Sequence, residues 1–143
     1  MAKTKTLVIA SGYFNPLHKG HIEYLNQSKE LGDFLFVIVN NDIQRELKGS
    51  KEFQNALERK YIVENLKSVN AAMVAIDENR LVDKSIEFIY NWRGSEFTKI
   101  LFTNGGDQTE ATIGERDMCE KLGIQMVFGL GDKIQSSSWL LNK

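Results

Sequence analysis

Leu7-Val8-Ile9-Ala10 runs directly into Ser11-Gly12-Tyr13-Phe14-Asn15-Pro16-Leu17-His18-Lys19-Gly20-His21, and the reading of this stretch decides the fold. Four consecutive apolar residues without alternation read as a strand covered on both faces, as in a parallel sheet. The glycines and the chain's one proline then mark a strand-to-helix connection. Beyond it Ile22, Leu25, Ser28 and Leu31 recur at helical spacing. The same sequence of events repeats outward along the chain. Residues 34–39, 73–76, 100–102 and 124–128 form further short apolar runs, mostly β-branched or aromatic. Between them Ala56, Leu57, Tyr61, Ile62 and Leu66 keep helical spacing, as do Ile86, Phe88 and Ile89, then Cys119 and Leu122. Strand followed by helix, repeated, specifies βαβ units and an α/β doubly wound domain with a five-stranded, mainly parallel sheet. Leu31-Gly32-Asp33 and Leu122-Gly123-Ile124 read as helix C-terminal glycines leading straight into strands.

A chain of 143 residues fits one domain, here expected over residues 1–143. Apolar residues at 42% and charged residues at 26% are ordinary globular usage and argue against disorder. The net charge of −1, with no long basic stripe, gives no basis for binding a nucleic acid backbone. Cys119 is the single cysteine, so no internal disulfide can form and a reducing compartment is expected. The apolar run at residues 7–10 is too short for a signal segment or a membrane span. The expectation is a cytoplasmic protein without a membrane partner.

In open parallel sheets ligands bind beyond the carboxyl ends of the strands, so function is sought just after each run. Both of the chain's histidines, His18 and His21, fall in one tetrapeptide after the first run. Three residues apart at a helix start, they share a face of its first turn, where free N–H groups and the positive dipole end favour an anion. Gly20 removes a side chain where a phosphate approaches the backbone, and Gly12 permits a sharp turn. No Cys or further His completes a metal set, so no protein-held metal is expected. Near the end of the chain Ser136, Ser137 and Ser138 follow Lys133; serine caps helices well, and hydroxyls with N–H groups at a helix start hold phosphate oxygens.

Residues 12–21 resemble the HxGH signature of the cytidylyltransferase-like nucleotidyltransferase superfamily, and the serine run resembles that superfamily's second mark, a serine/threonine-rich patch opening a late helix. Both occur in the right order, so the resemblance spans essentially the whole chain and implies a Rossmann-like domain. In pattern the chain is nearest to heptose 1-phosphate adenylyltransferase and glycerol-3-phosphate cytidylyltransferase. Residues 39–49 resemble the stretch that precedes a triphosphate-contacting lysine in heptose 1-phosphate adenylyltransferases and phosphoethanolamine cytidylyltransferases, which makes Lys48 that lysine. Arg59 matches an arginine those families carry early in the next helix. Gly105-Gly106-Asp107 is similar to a Gly-Gly-Asp turn that lies close to the nucleotide in the heptose enzymes.

The resemblance implies in-line attack of an acceptor phosphate oxygen on the α-phosphorus of a nucleoside triphosphate, with pyrophosphate leaving. His18, His21 and Lys48 would be the catalytic groups. Gly12, Tyr13, Phe14, Asn15, Gly20, Arg59, Gly105, Gly106, Asp107, Ser136, Ser137 and Ser138 would bind the nucleotide. Mg²⁺ would arrive bound to the nucleotide. Phe14-Asn15-Pro16 and Gly105-Gly106-Asp107 lean toward ATP. Gly129-Leu130-Gly131-Asp132 stands where cytidylyltransferases place an arginine before the serine/threonine patch. Asn104 replaces the lysine usual in heptose enzymes, which sets the acceptor apart from a heptose phosphate. The expected reaction is transfer of AMP to a small phosphorylated acceptor such as a sugar or polyol phosphate. The alternatives are a CTP-dependent enzyme with a glycerol-phosphate-like acceptor, and a non-catalytic nucleotide-binding module, which retention of both histidines disfavours. An interaction protein built on Tyr90, Trp92 and Trp139 is a third, although packing or a dimer interface accounts better for these aromatics. Similar enzymes often form dimers, so a homodimer is expected, with residues 90–94 lining its interface or the acceptor pocket.

Overall fold

Residues Leu7 to Ala10 are fully buried, and the strand that contains them, β1 (Thr6–Gly12), lies at the centre of the sheet. The computed structural model describes residues 5–105 and 114–130. Along the chain follow α1 (Lys19–Glu30), β2 (Phe34–Val39), α2 (Asp42–Lys48), α3 (Ala56–Glu64), β3 (Ala71–Val74), α4 (Asp83–Arg93), β4 (Lys99–Gly105), α5 (Arg116–Leu122) and β5 (Gln125–Leu130). The strand order is β3-β2-β1-β4-β5, and every pairing is parallel. The mainly parallel sheet expected from the sequence is thus wholly parallel among the described residues.

Strand periodicity divides the core into two layers. Leu7 and Ile9 join Phe36, Ile38 and Phe102 on one face, against Val82, Ile86 and Ile89 near and along α4 and Cys119 of α5. Val8 and Ala10 join Leu35, Val37, Val39 and Leu101 on the other, against Tyr24 and Leu25 of α1 and Val63 of α3. Helices therefore cover both faces, the doubly wound arrangement, and each buried aliphatic side chain contributes about 1.5–3 kcal/mol. Burial pushes the Cys119 thiol up to about 12, so this cysteine is an unreactive packing group.

Three local features differ from the sequence reading, and α2 is a helix which that reading did not include. α2 carries no inward apolar stripe: Ile43 and Leu47 are exposed, and its buried residues are Gln44 and Arg45. Its start is fixed by a capping box, Asn41 accepting from the Gln44 N–H while the Gln44 side chain accepts from the Asn41 N–H. α3 is rotated from the expected register, with Leu57 and Tyr61 exposed at 74% and 67% and Ala56, Arg59 and Val63 turned inward. β3 begins two residues earlier than the apolar run at 73–76, leaving Ile76 exposed beyond it. Gly123 is a left-handed helix cap at φ 72, as expected, but Gly32 is not.

Gly32 follows the α1 cap and packs on the start of β1. A Cβ there would lie 2.8 Å from the Thr6 carbonyl oxygen and 2.7 Å from Val8 Cγ2. The adjoining Asp33 N–H donates to that same carbonyl at 2.9 Å, and the Thr6 N–H donates back to the Asp33 carboxylate at 2.8 Å. Close approach of two backbones, not helix capping, selects glycine here. Gly32→Ala should cost about 1–3 kcal/mol, read as a lower urea midpoint with an unchanged slope.

Candidate active site

The strand order reverses between β1 and β4, and the carboxyl ends of these two strands open a cavity of about 490 Å³. Crevices at such a switch point are where ligands bind in sheets of this class. Ser11, Gly12 and Tyr13 form one wall, Thr103, Asn104 and Gly105 another, and Gly20, His21 and Tyr24 come from α1. Asn40 lines it at the end of β2, and Arg80, Leu81, Val82 and Glu115 form a further wall.

The two histidines are built into the start of α1. His18 is the N-cap, and its Nδ1 accepts from the Gly20 N–H at 3.0 Å. His21, at the third helical position, returns the contact, its Nδ1 accepting from the His18 N–H at 3.1 Å. The pair therefore performs the reciprocal capping that Ser/Thr with Glu/Gln usually provides. With each Nδ1 accepting, a neutral ring carries its proton on Nε2, which makes Nε2 a donor. The rings stack at 3.8 Å between centroids, and Phe14 meets His21 edge-on at 5.1 Å. Phe14 holds a left-handed backbone, φ 50, a conformation costly for a bulky residue. Its ring folds back over Gly12, where a Cβ would come within 2.7 Å of the ring.

Behind this wall lies Arg59, with no exposed surface. Its Nη1 donates to the carbonyls of Tyr13 and Asn40, both at 2.7 Å, its Nε to the Gln54 carbonyl at 2.9 Å, and its Nη2 to Asp42 at 2.8 Å. The resemblance assigned Arg59 to the nucleotide; here its guanidinium faces protein oxygens and does not line the cavity. Asn15 stands similarly, donating to the Lys51 carbonyl at 2.7 Å and accepting from the N–H groups of Phe53 and Gln54. Lys48, exposed at the end of α2, extends its ammonium 4.2 Å above the Tyr13 ring and so reaches the cavity's rim. Of the site residues expected, Gly12, Tyr13, Gly20, His21 and Gly105 line the cavity, His18 and Lys48 adjoin it, and Phe14, Asn15 and Arg59 brace it from behind. Gly106, Asp107 and Ser136, Ser137 and Ser138 lie outside the described residues.

The cavity also includes side chains that the sequence reading left unassigned. Tyr24 donates to the Thr103 carbonyl at 2.8 Å, and burial pushes its phenol up to about 12, so it remains a fixed donor. Asn40 and Arg80 follow the second and third strands, so the rule of reading just past each strand pointed toward them. Glu115 is buried with Oε2 accepting from the Val82 N–H at 2.9 Å. Removal from water holds its carboxyl above the usual range, with the Val82 bond offsetting part of that shift. Tyr90, Asn91 and Gly94, considered for the acceptor pocket, instead line a separate depression with Lys99 and Ile100, at the amino end of β4.

Against known families, residues 9–128 match the model described as cytidylyltransferase-like. The chain belongs to this family. It is an enzyme of the nucleotidyltransferase type. A FAD synthase of Picrophilus torridus is 38% identical over 117 residues, covering 82% of this chain and 77% of that protein. The bifunctional protein HldE of Syntrophotalea carbinolica is 35% identical over 121 residues, 83% of this chain but 23% of that protein, so the chain spans about a quarter of it. A solved structure titled a lipopolysaccharide core biosynthesis protein, from Thermoplasma volcanium, superposes with a TM-score of 0.67 at 26% identity, covering 87% of this chain and 95% of that one. Among the described residues no helix is long and apolar enough to cross a membrane.

Two outcomes follow for this nucleotidyltransferase. Arg59→Met leaves three carbonyls and a carboxylate without their donor and should cost on the order of 3–5 kcal/mol in urea denaturation. Glu115 has a folded-state pKa above its unfolded value of about 4.3, so its contribution to stability is complete below that pH and is lost as pH rises through the raised value. Glu115→Gln keeps an acceptor for Val82 and removes the charge. The stability difference between variant and wild type should therefore move in the variant's favour as pH rises, measured from denaturation midpoints across pH.

Proposed function

We propose that this enzyme transfers a nucleoside monophosphate, AMP from ATP in the first instance, to a small phosphorylated acceptor and releases pyrophosphate. The observation that carries the reading is the histidine capping box: two imidazoles with Nδ1 tied to backbone and Nε2 as donor, at a helix N-terminus on the cavity's edge. Transfer of this kind needs positioning and charge stabilisation more than covalent participation by the protein. His18 and His21 donate to the α-phosphate oxygens as negative charge shifts onto them. The α1 dipole adds a fixed positive end. Lys48, steadied on Tyr13, meets the departing β- and γ-phosphates together with Ser136, Ser137 and Ser138. Mg²⁺ travels with the nucleotide and, when bound, neutralises phosphate charge.

The acceptor enters as a phosphate monoester whose oxygen attacks in line with the leaving pyrophosphate. A sugar or polyol phosphate is the class proposed. The names of the relatives, a FAD synthase and HldE proteins, support nucleotidyl transfer while differing among themselves. CTP with a glycerol-phosphate-like acceptor is the second reading, and Gly129-Leu130-Gly131-Asp132, where those enzymes place an arginine, argues against it. The reading also takes the chain as one domain in a cytoplasmic homodimer, the assembly being open to sedimentation analysis.

Pyrophosphate release from ATP or CTP, with Mg²⁺ and a panel of sugar phosphates, polyol phosphates and FMN, tests the reaction; turnover is expected with ATP. Because the histidines also cap α1, the informative variants preserve the cap. His18→Ser should keep the helix by circular dichroism while turnover falls about 10²–10³-fold. His21→Gln, which keeps a capping acceptor at the third position, should fall comparably. Near-wild-type turnover in either variant would remove the assigned role.

A further inference from the structure

We propose that Arg80 is the anchor for the acceptor's phosphate, and that the wall it forms with Leu81, Val82 and Glu115 is the acceptor subsite. This rests on the nucleotidyl-transfer reading and extends it to a residue that reading does not use. The reaction brings two anions together, so the acceptor phosphate requires a cation of its own on the side away from the departing pyrophosphate. Among the described residues lining the cavity, Arg80 is the one lysine or arginine. It stands on the wall formed with Leu81, Val82 and Glu115, whereas His21 and Gly20 come from α1.

Arg80 is mounted on a backbone held from both sides. Gln44 is fully buried, and its Nε2 donates to both carbonyls flanking the arginine, those of Asn79 and Leu81, each at 2.8 Å. The Gln44 Oε1 accepts from Asn40 Nδ2 at 3.0 Å and from the Asn41 N–H at 2.9 Å. Asn41 Nδ2 in turn donates to the carbonyls of Ala75 and Asp77, at 3.0 and 2.8 Å. The Leu81 N–H donates to Asn79 Oδ1 at 3.0 Å, and the next N–H, of Val82, donates to Glu115. The loop that follows β3 is thus pinned on both sides of residue 80 by one fully buried amide, Gln44, whose oxygen and nitrogen are each satisfied twice. Such networks are rigid, and they are costly if any member is missing. Among the described residues the Arg80 guanidinium itself makes no hydrogen bond or ion pair, and it stays exposed. A held backbone presenting an unengaged guanidinium to a cavity is a preorganised anion site, and the planar fork matches two oxygens of a phosphate monoester. Glu115 shares the wall, but its carboxyl is tied to Val82 and burial disfavours its ionised form, which reduces its repulsion of that phosphate.

The test has two arms. In steady-state kinetics with the best acceptor from the panel, Arg80→Gln should raise the acceptor KM about 10- to 100-fold and leave the nucleotide KM within about twofold. Arg80→Lys should recover only part of the loss, because an ammonium restores charge without the fork. A raised nucleotide KM with an unchanged acceptor KM would place Arg80 on the triphosphate and overturn the proposal. Independently of turnover, the Arg80 Nε–Hε resonance, assigned by its absence in Arg80→Gln, is followed on titration with glycerol 3-phosphate and with glycerol. A saturable shift with the phosphate alone supports the anchor, and no shift overturns it. If no acceptor gives pyrophosphate while that shift occurs, the transferase reading fails and the anion site stands.

Discussion

One buried guanidinium holds the working end of this molecule together. Arg59 reaches from α3 beneath the loop after β1, the turn after β2 and the segment that leads into α3 itself, and each receives at least one of its hydrogen bonds. Asp42 supplies the counter-charge, and its other carboxylate oxygen accepts from the Ala56 N–H at 3.1 Å, closing the tie between the starts of α2 and α3. A fully buried cation is tolerable only when nearly all its donors are satisfied, and here the satisfaction comes largely from backbone carbonyls. These carbonyls belong to loops, where no sheet ladder would otherwise position them. The sheet sets where the strand ends lie. Arg59 sets how the segments beyond them are spaced.

That division explains what the sequence disclosed. The sheet was legible because each strand is a continuous apolar run, buried on both faces, and nothing but a covered parallel strand suits such a run. The histidine pair was legible because both copies of a rare residue type fall at the end of the first strand, at the start of a helix. Less legible were elements whose inward faces are polar. α2 buries Gln44 and Arg45 and exposes Ile43 and Leu47, so hydrophobic periodicity points the wrong way. In α3 the apolar spacing of Leu57 and Tyr61 suggested an inward stripe, but the helix turns so that Arg59 reaches its oxygens. Arg59 itself was noticed through its place in a motif, yet nothing in one sequence separates an arginine that grips a nucleotide from one that grips the loops around it. Only satisfaction of its donors by protein separates the two.

The same consideration ranks the other basic groups at the site. Arg45, also buried, donates to the Ser50 carbonyl at 2.6 Å and lies among Asp42, Glu46 and Glu52, so it is engaged in shaping the α2 terminus. Lys48 is exposed and steadied only by the face of Tyr13, an interaction of about 0.5–1 kcal/mol at such a site. A hold this weak suits the role in phosphate binding proposed for Lys48. Arg80 combines a fixed backbone with an unengaged head. The buried Arg59 braces the cavity, Arg45 shapes the end of α2 with its Nε lacking a hydrogen bond among the described residues, and Lys48 and Arg80 keep exposed heads.

The histidine capping box carries this economy furthest. A serine at position 18 and a glutamine at 21 would satisfy the same helix N–H groups, so capping alone does not require imidazole. Imidazole adds a second nitrogen on the far side of the ring, and the cap bond determines which nitrogen bears the proton. A backbone N–H held against Nδ1 makes Nε2 the donor without a neighbouring carboxylate to orient the ring. Stacking of His18 on His21, and the edge of Phe14 against His21, then fix the ring planes. The left-handed Phe14 and the bare Gly12 that its ring covers follow from that placement, because the ring must fold back to reach the histidine. Helix initiation, tautomer and donor direction are thus set by one group of contacts. A substitution there can therefore spare the helix and still remove the Nε2 donors on which the proposed chemistry rests.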